Sequence, residues 1–181
     1  MKTIPVVLLL FSLSLATHGA ERCGAGRSIV GVWKVVEIAT DYESPPEVGA
    51  ETSRVYPNKD PLPSQIIFTR RHYSMIWSAG TEAMRAFSVR WQPTDGEKLR
   101  RFGEVGMNTG TYEVEDGILQ VRPSVARVPE FMGGSMTYAC KWDEDNLILT
   151  LLEEYTFDGV PAPWADESSG RIHLILGRLK D

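Results

Sequence analysis

Apolar and polar residues alternate in many short stretches of this sequence. In "VGVWKVVEI" at 30–38, Trp33 and Val35 fall on one face and Lys34 on the other. A period of two is typical of a β-strand with one face toward a core. The same pattern predicts eight or nine strands, at 30–38, 65–69, 73–79, 86–91, 109–115, 118–123, 135–142, 147–157 and 170–180.

Turn residues connect several of these strands directly. Asp116-Gly117 interrupts the segment 109–123, and this dipeptide is a strong signal for a tight hairpin turn. "DEDN" at 143–146 separates two further strands and predicts a second hairpin. Consecutive strands are therefore expected to pair in an antiparallel way.

One helix is predicted among the strands, in "PTDGEKLRRF" at 93–102. Thr94 is placed to cap it, and Glu97 three residues later completes a capping-box pattern. Leu99 and Phe102 would form its inward stripe. "VPEFMGG" at 128–134 is predicted to hold one short helical turn, and the proline-rich segment 41–63 is predicted to be a long loop.

Strands in sequential order with few helices favour an all-β fold, either an up-and-down antiparallel barrel or a sandwich. The order favours the barrel, because consecutive hairpins can wrap until the first and last strands meet. An eight-stranded barrel is either filled by its own side chains or able to hold one small ligand.

The first and last strands carry a pair of residues that resembles a known signature. Gly31-x-Trp33 resembles the Gly-x-Trp motif of lipocalins and their calycin relatives. In that family the tryptophan plugs one end of the barrel under a basic residue of the last strand, a part that Arg178 would play here, with Arg171 as the second choice.

A more extended resemblance is to bacterial lipocalin-like domain proteins. It runs through "GVWKVVEI", "IIFTRRHYSMIWSAG", "NTGTYEVEDGILQVRPSVARVPEFM", "MTYACKW", "NLILTL" and the terminal "LILGRL". It implies a barrel of eight or nine strands with one or two short helices. It supplies no ligand, cofactor or catalytic residue.

Strand alternation identifies a candidate interior face. An aromatic and methionine-rich set suits a pocket for a flat, largely apolar molecule, although such residues also fill ordinary cores. If Trp33 points inward, Glu37 does so by the same alternation and would need a partner. The predicted ligand-binding residues are Tyr73, Met75, Trp77, Tyr112, Tyr138 and Glu37.

The first twenty residues look like a secretory signal. Lys2 precedes the apolar run "IPVVLLLFSLSLA", and cleavage after Gly19 or Ala20 fits the small residues that follow. A buried helix or a membrane anchor is the alternative, but a spanning helix needs about 20 apolar residues. We therefore expect a signal at 1–20, a single barrel domain at 21–181, and a periplasmic or secreted protein.

Two cysteines and a negative charge limit the chemistry further. In an oxidising compartment Cys23 and Cys140 either pair or remain separate thiols. The net charge of −5 argues against a nucleic-acid partner. No metal, cofactor or catalytic motif is recognised, and the oligomeric state is left open.

The favoured hypothesis is an exported barrel that binds a small apolar or amphipathic molecule. The alternatives are an interaction module with a filled barrel, or a calycin-like isomerase or cyclase. An enzyme would be indicated by a buried glutamate or histidine that faces the cavity and has a perturbed pKa.

Overall fold

Pairing between the first and last strands closes the molecule into a barrel. The structure is a computed structural model, and it describes residues 21–24, 26–42, 53–58, 63–78, 84–165 and 171–180. The predicted signal segment lies outside these residues. In the described part of the chain the elements are β1 Gly31–Tyr42, β2 Ser53–Asn58, β3 Gln65–Phe68, β4 His72–Ser78, α1 Asp95–Glu104, β5 Val105–Glu115, β6 Ile118–Ala126, a 3₁₀ turn Pro129–Phe131, β7 Ser135–Asp143, β8 Asn146–Tyr155 and β9 Arg171–Arg178.

Every strand pairing in this sheet is antiparallel. From β3 onward each strand pairs with the next, and β9 returns to pair with β1. β3 pairs with the start of β1, and β2 takes the same edge of β1 further along. The result is a closed barrel of eight strands with β2 as a ninth, which confirms the predicted fold class.

The hairpin turns follow the predicted chemistry. Asp116 and Gly117 both have positive φ, 49° and 81°, as a type I′ turn requires. The second hairpin turns at Glu144, also at positive φ, and β8 begins at Asn146. Both predicted hairpins are confirmed.

A tryptophan closes one end of the barrel. Trp33 is fully buried, and its indole N–H donates to the Ile29 carbonyl at 2.9 Å. The Arg178 guanidinium lies 4.3 Å from the indole ring and donates to the Val30 carbonyl at 2.8 Å. A side chain on Gly31 would collide with that guanidinium, its Cβ only 2.4 Å from Nη1. The glycine of the Gly-x-Trp motif therefore leaves space for the arginine.

The segment before β1 is tied to the barrel wall. Cys23 forms a disulfide with Cys140 on β7. The backbone reinforces this link, because Cys23 N donates to the Cys140 carbonyl at 3.1 Å and Trp142 N donates to the Glu21 carbonyl at 2.7 Å. The segment thus pairs with the edge of β7 at Lys141, beyond the point where β6 begins at Ile118.

Two element predictions were wrong. Segment 86–91 forms bends and a turn rather than a strand, because β4 pairs with β5 along its whole length and leaves no edge for it. Trp91 there is 87% exposed. Within the predicted loop 41–63, residues 53–58 form β2, because β3 leaves the edge of β1 after Trp33.

The helix prediction was right about the cap and wrong about the inward stripe. Thr94 and Glu97 form the complete capping box. Hydrogen bonds from the backbone N–H of Ser88, and secondly from that of Thr94, hold the pKa of the Glu97 carboxyl at about 2. Leu99 is 74% exposed and Phe102 52% exposed, and no residue of α1 is buried. The helix runs directly into β5, which begins at Val105. The short helical turn is present at Pro129–Phe131.

Removing the disulfide should destabilise the fold. Cys23 and Cys140 are 117 residues apart in sequence, and a link across so long a loop restricts the unfolded chain strongly. We expect the double alanine variant to lose about 2–5 kcal/mol of unfolding free energy. Urea unfolding of oxidised wild type, reduced wild type and the variant measures this. Equal stability of all three would show that the backbone contacts alone hold the segment.

Candidate functional site

A cavity of about 320 Å³ occupies the half of the barrel away from Trp33. Each of the eight barrel strands contributes at least one residue to its wall. On β1 these are Val35 and Ile38, which follow the buried Trp33 along the strand. The cavity therefore begins where the tryptophan plug ends.

The cavity wall is mostly apolar and rich in aromatic rings. Trp77 on β4 and Tyr138 on β7 contribute from the strands. Phe131 of the 3₁₀ turn and Trp164 of the segment after β8 contribute from the connections, with their ring centroids 5.8 Å apart. Such a wall favours a flat or apolar occupant.

A glycine makes room for the indole ring of Trp77. Gly106 on β5 is directly opposite Trp77, and a Cβ there would lie 2.1 Å from the indole. The indole can lie against the β5 backbone only because position 106 has no side chain.

A β-bulge in β1 decides which residue faces the cavity. The register of β1 against β9 shifts between Val35 and Glu37. Beyond the bulge it is Ile38 that lines the cavity, and Glu37 is not part of the wall. The strict alternation that would place Glu37 beside Trp33 and Val35 is broken by the extra residue.

A second bulge has the opposite effect on β8. Residues Leu147, Leu149 and Leu151 are buried in strict alternation, which would continue to Glu153. The register against β7 shifts between the pairs Thr137–Glu153 and Tyr138–Leu151. Glu153 is consequently exposed, and Glu154 lines the cavity.

Glu154 is the one acidic residue in the described cavity wall. Its Oε2 accepts a hydrogen bond of 2.6 Å from the indole N–H of Trp164. Burial raises the pKa of this carboxyl, and the Trp164 hydrogen bond offsets part of the rise. Burial, and secondly the charge of Glu154, also raises the pKa of Tyr73 and of Tyr138. The two phenols therefore lie within the electrostatic field of the carboxylate.

Two further polar atoms near the cavity make no hydrogen bond with any described residue. They are the Tyr73 hydroxyl and Oδ1 of Asn108, both on buried side chains. Buried polar groups are usually satisfied, so unsatisfied ones mark positions where a ligand can supply a partner. Asn108 lines the wall from β5, opposite Met75.

The predicted ligand-binding residues fall into two groups. Met75, Trp77 and Tyr138 line the cavity, and Tyr73 is buried on the same β4 face as Met75. Tyr112 lies near the plugged end instead, where its ring packs on Phe68 and its hydroxyl donates to the Thr69 carbonyl at 2.6 Å.

Five polar or aromatic residues of the described wall were not predicted from the sequence, namely Asn108, Arg127, Phe131, Glu154 and Trp164. The signal for Glu154 was the acidic pair in "LLEEY", two charges that end an apolar strand. Alternation alone would turn Glu153 inward rather than Glu154, because it does not include the bulge, which depends on the register with β7.

Comparison with known proteins gives no matching family model, curated protein or solved structure. The closed antiparallel barrel is consistent with a calycin-like fold. Within the described residues, no helix is long and apolar enough to cross a membrane. In the same part of the chain, no three His, Cys, Asp or Glu side chains are grouped to hold a metal ion.

Glu154→Gln should stabilise the protein in a pH-dependent way. Above the ordinary carboxyl pKa of 4.5 the folded protein holds its Glu154 proton more tightly than the unfolded chain does, so stability falls as pH rises through the raised pKa. The glutamine keeps an acceptor for Trp164 without the buried charge. We expect Glu154→Gln to have a higher free energy of unfolding than wild type at pH 8, and an equal one at pH 4.

Urea unfolding at both pH values measures this difference. The matched control is Glu153→Gln, which changes the exposed neighbour across the bulge and should show no such pH dependence. A gain of equal size at pH 4 and pH 8, or a loss at pH 8, would contradict the buried position of the Glu154 carboxyl.

Proposed function

We propose that this barrel binds a small, largely apolar molecule in its cavity. The observation that carries the proposal is the cavity itself, whose volume of about 320 Å³ lies at the lower end of the range for small-molecule sites. The apolar and aromatic wall would provide affinity, and the few polar atoms would orient the occupant. The cavity weighs against the alternative of a filled barrel that serves only as an interaction module.

We further propose that the protein is an exported member of the lipocalin-like proteins. The stacking of Arg178 on Trp33 supports the family, because it joins the first and last strands in the manner that the resemblance implies. The Cys23–Cys140 disulfide supports export, because such bonds persist in oxidising compartments. Intact-mass analysis of protein recovered from a bacterial periplasm tests both the export and the loss of residues 1–20.

A calycin-like isomerase or cyclase is the second candidate. Glu154 favours it, because a partly buried carboxyl with a raised pKa that faces a cavity suits proton transfer. Binding alone returns the ligand unchanged, whereas an enzyme releases an isomer. Chromatography and mass spectrometry of a ligand recovered after incubation distinguish the two.

Filling the cavity should abolish binding of an uncharged apolar probe. Ala126 ends β6 and lines the cavity opposite Asn108. Ala126→Trp would occupy much of the space, so we expect it to weaken binding of the fluorescent dye N-phenyl-1-naphthylamine at least tenfold. Fluorescence titration measures the affinity, and circular dichroism checks the fold.

Ala86→Trp is the matched control for the dye titration. Ala86 is exposed and outside the cavity wall, so the same substitution there should leave dye binding unchanged. Equal dye affinity for wild type and both variants would show that the dye binds elsewhere, and absence of dye binding in wild type would contradict the proposed function.

A further inference from the structure

We propose that the cavity selects a small organic cation, an ammonium group attached to an apolar or aromatic body, with the ammonium against the Glu154 carboxylate. This inference rests on the proposed function, because it names the chemical class of the same occupant.

No described residue forms an ion pair with Glu154. The described cavity wall contains a single basic residue, Arg127, and that side chain is engaged elsewhere. Its guanidinium lies 4.5 Å from the Phe102 ring and donates to the Phe102 carbonyl. The hydrogen bond from Trp164 is neutral and leaves the net charge in place. A cation within about 4–6 Å of such a carboxyl favours its charged form.

The aromatic wall favours the same sign of charge. The faces of indole, phenol and phenyl rings carry negative potential, and a cation within about 6 Å of a ring centroid is attracted to it. Trp77, Tyr138, Phe131 and Trp164 all line the cavity that Glu154 lines. Carboxylate and rings together make the interior selective for cations against anions of equal shape.

The unsatisfied acceptor also fits an ammonium group. A primary ammonium has three N–H donors and no acceptor. Glu154 can take one or two of these donors, and Oδ1 of Asn108 is a further acceptor in the wall that makes no hydrogen bond with any described residue. An alcohol could satisfy one of these atoms but would leave the charge of Glu154 unbalanced.

The bulge in β8 supports a specific role for the carboxylate. Without the bulge Glu153 would face inward in place of Glu154, and the acid would not meet Trp164. Bulges often re-aim a side chain next to a functional site. A half-buried acid without a described ion-pair partner is costly to the fold, so its inward position is more readily explained by a bound cation than by stability.

Three probes with one common body test the inference, namely 4-phenylbutylamine, 4-phenylbutan-1-ol and 4-phenylbutanoate. Isothermal titration calorimetry at pH 8 compares their affinities for wild type, Glu154→Gln and Glu153→Gln. We expect wild type to bind the amine at least tenfold more tightly than the alcohol, and the carboxylate most weakly. Glu154→Gln should lose the amine preference and keep the alcohol affinity within about twofold, and Glu153→Gln should match wild type.

The pH profile provides a readout that loss of packing would not change. An alkyl ammonium stays protonated below its pKa of about 10, so the amine does not titrate between pH 8 and 5. The titratable and charged described groups that share the cavity with Glu154 are Tyr138 from β7 and Arg127 from the segment after β6, and the charge of Glu154 also acts on Tyr73 from β4. Both phenols keep their protons in this range. The preference for the amine should therefore decline on acidification as Glu154 gains its proton, with alcohol binding unchanged.

The outcomes separate this inference from the proposed function. Equal binding of amine and alcohol, or tightest binding of the carboxylate, would overturn the cation inference and leave the proposed function standing. Equal loss of amine and alcohol binding in Glu154→Gln would assign Glu154 a packing role and also overturn it. Dye binding that no phenylbutyl probe displaces would overturn the cation inference alone. If neither the dye nor any probe binds, the proposed function fails as well.

Discussion

The pairing of β1 with β9 is the contact on which the rest of the structure depends. It joins the two ends of the sheet, so that the inward faces of eight strands enclose one interior. It also brings Trp33 and Arg178 into register at the same end, where the guanidinium covers the indole and closes the barrel. The cavity occupies the half of the barrel away from this plug, where the wall residues leave about 320 Å³ between them.

Two bulges determine the chemistry of the interior. The bulge in β1 keeps Glu37 out of the cavity wall and leaves Ile38 in it, and the bulge in β8 brings Glu154 in and leaves Glu153 exposed. The described part of the interior thereby receives one carboxylate, which lies beside Trp164 and whose charge acts on the phenols of Tyr73 and Tyr138. The register shift in β8 thus places a negative charge in a cavity whose wall would otherwise be mostly apolar.

Local signals in the sequence were sufficient to predict the fold class, an antiparallel barrel. Asp116-Gly117, the capping box at Thr94 and the Gly31-x-Trp33 motif each act within a few residues, and the structure contains all three features. Met75, Trp77 and Tyr138 were predicted to face the interior because alternation holds in β4 and β7.

Features that depend on a partner strand could not be predicted in the same way. Alternation places Glu37 inside and Glu154 outside, and the structure has the reverse in both cases. The reason is that each bulge is set by pairing with a distant strand. Segment 86–91 has a strand-like pattern but finds no free edge, and Tyr112 faces inward at the plugged end of the barrel rather than at the cavity. These are constraints of tertiary structure, which no single stretch of sequence contains.

X-ray diffraction from crystals under xenon pressure shows whether the barrel is hollow, because apolar cavities in proteins bind this gas. We expect xenon inside the barrel, in contact with the side chains of Ile66, Leu151 and Leu174. An interior without xenon, in which Met75 and Met136 fill the space between the strands, would contradict it and would return the barrel to a solid core.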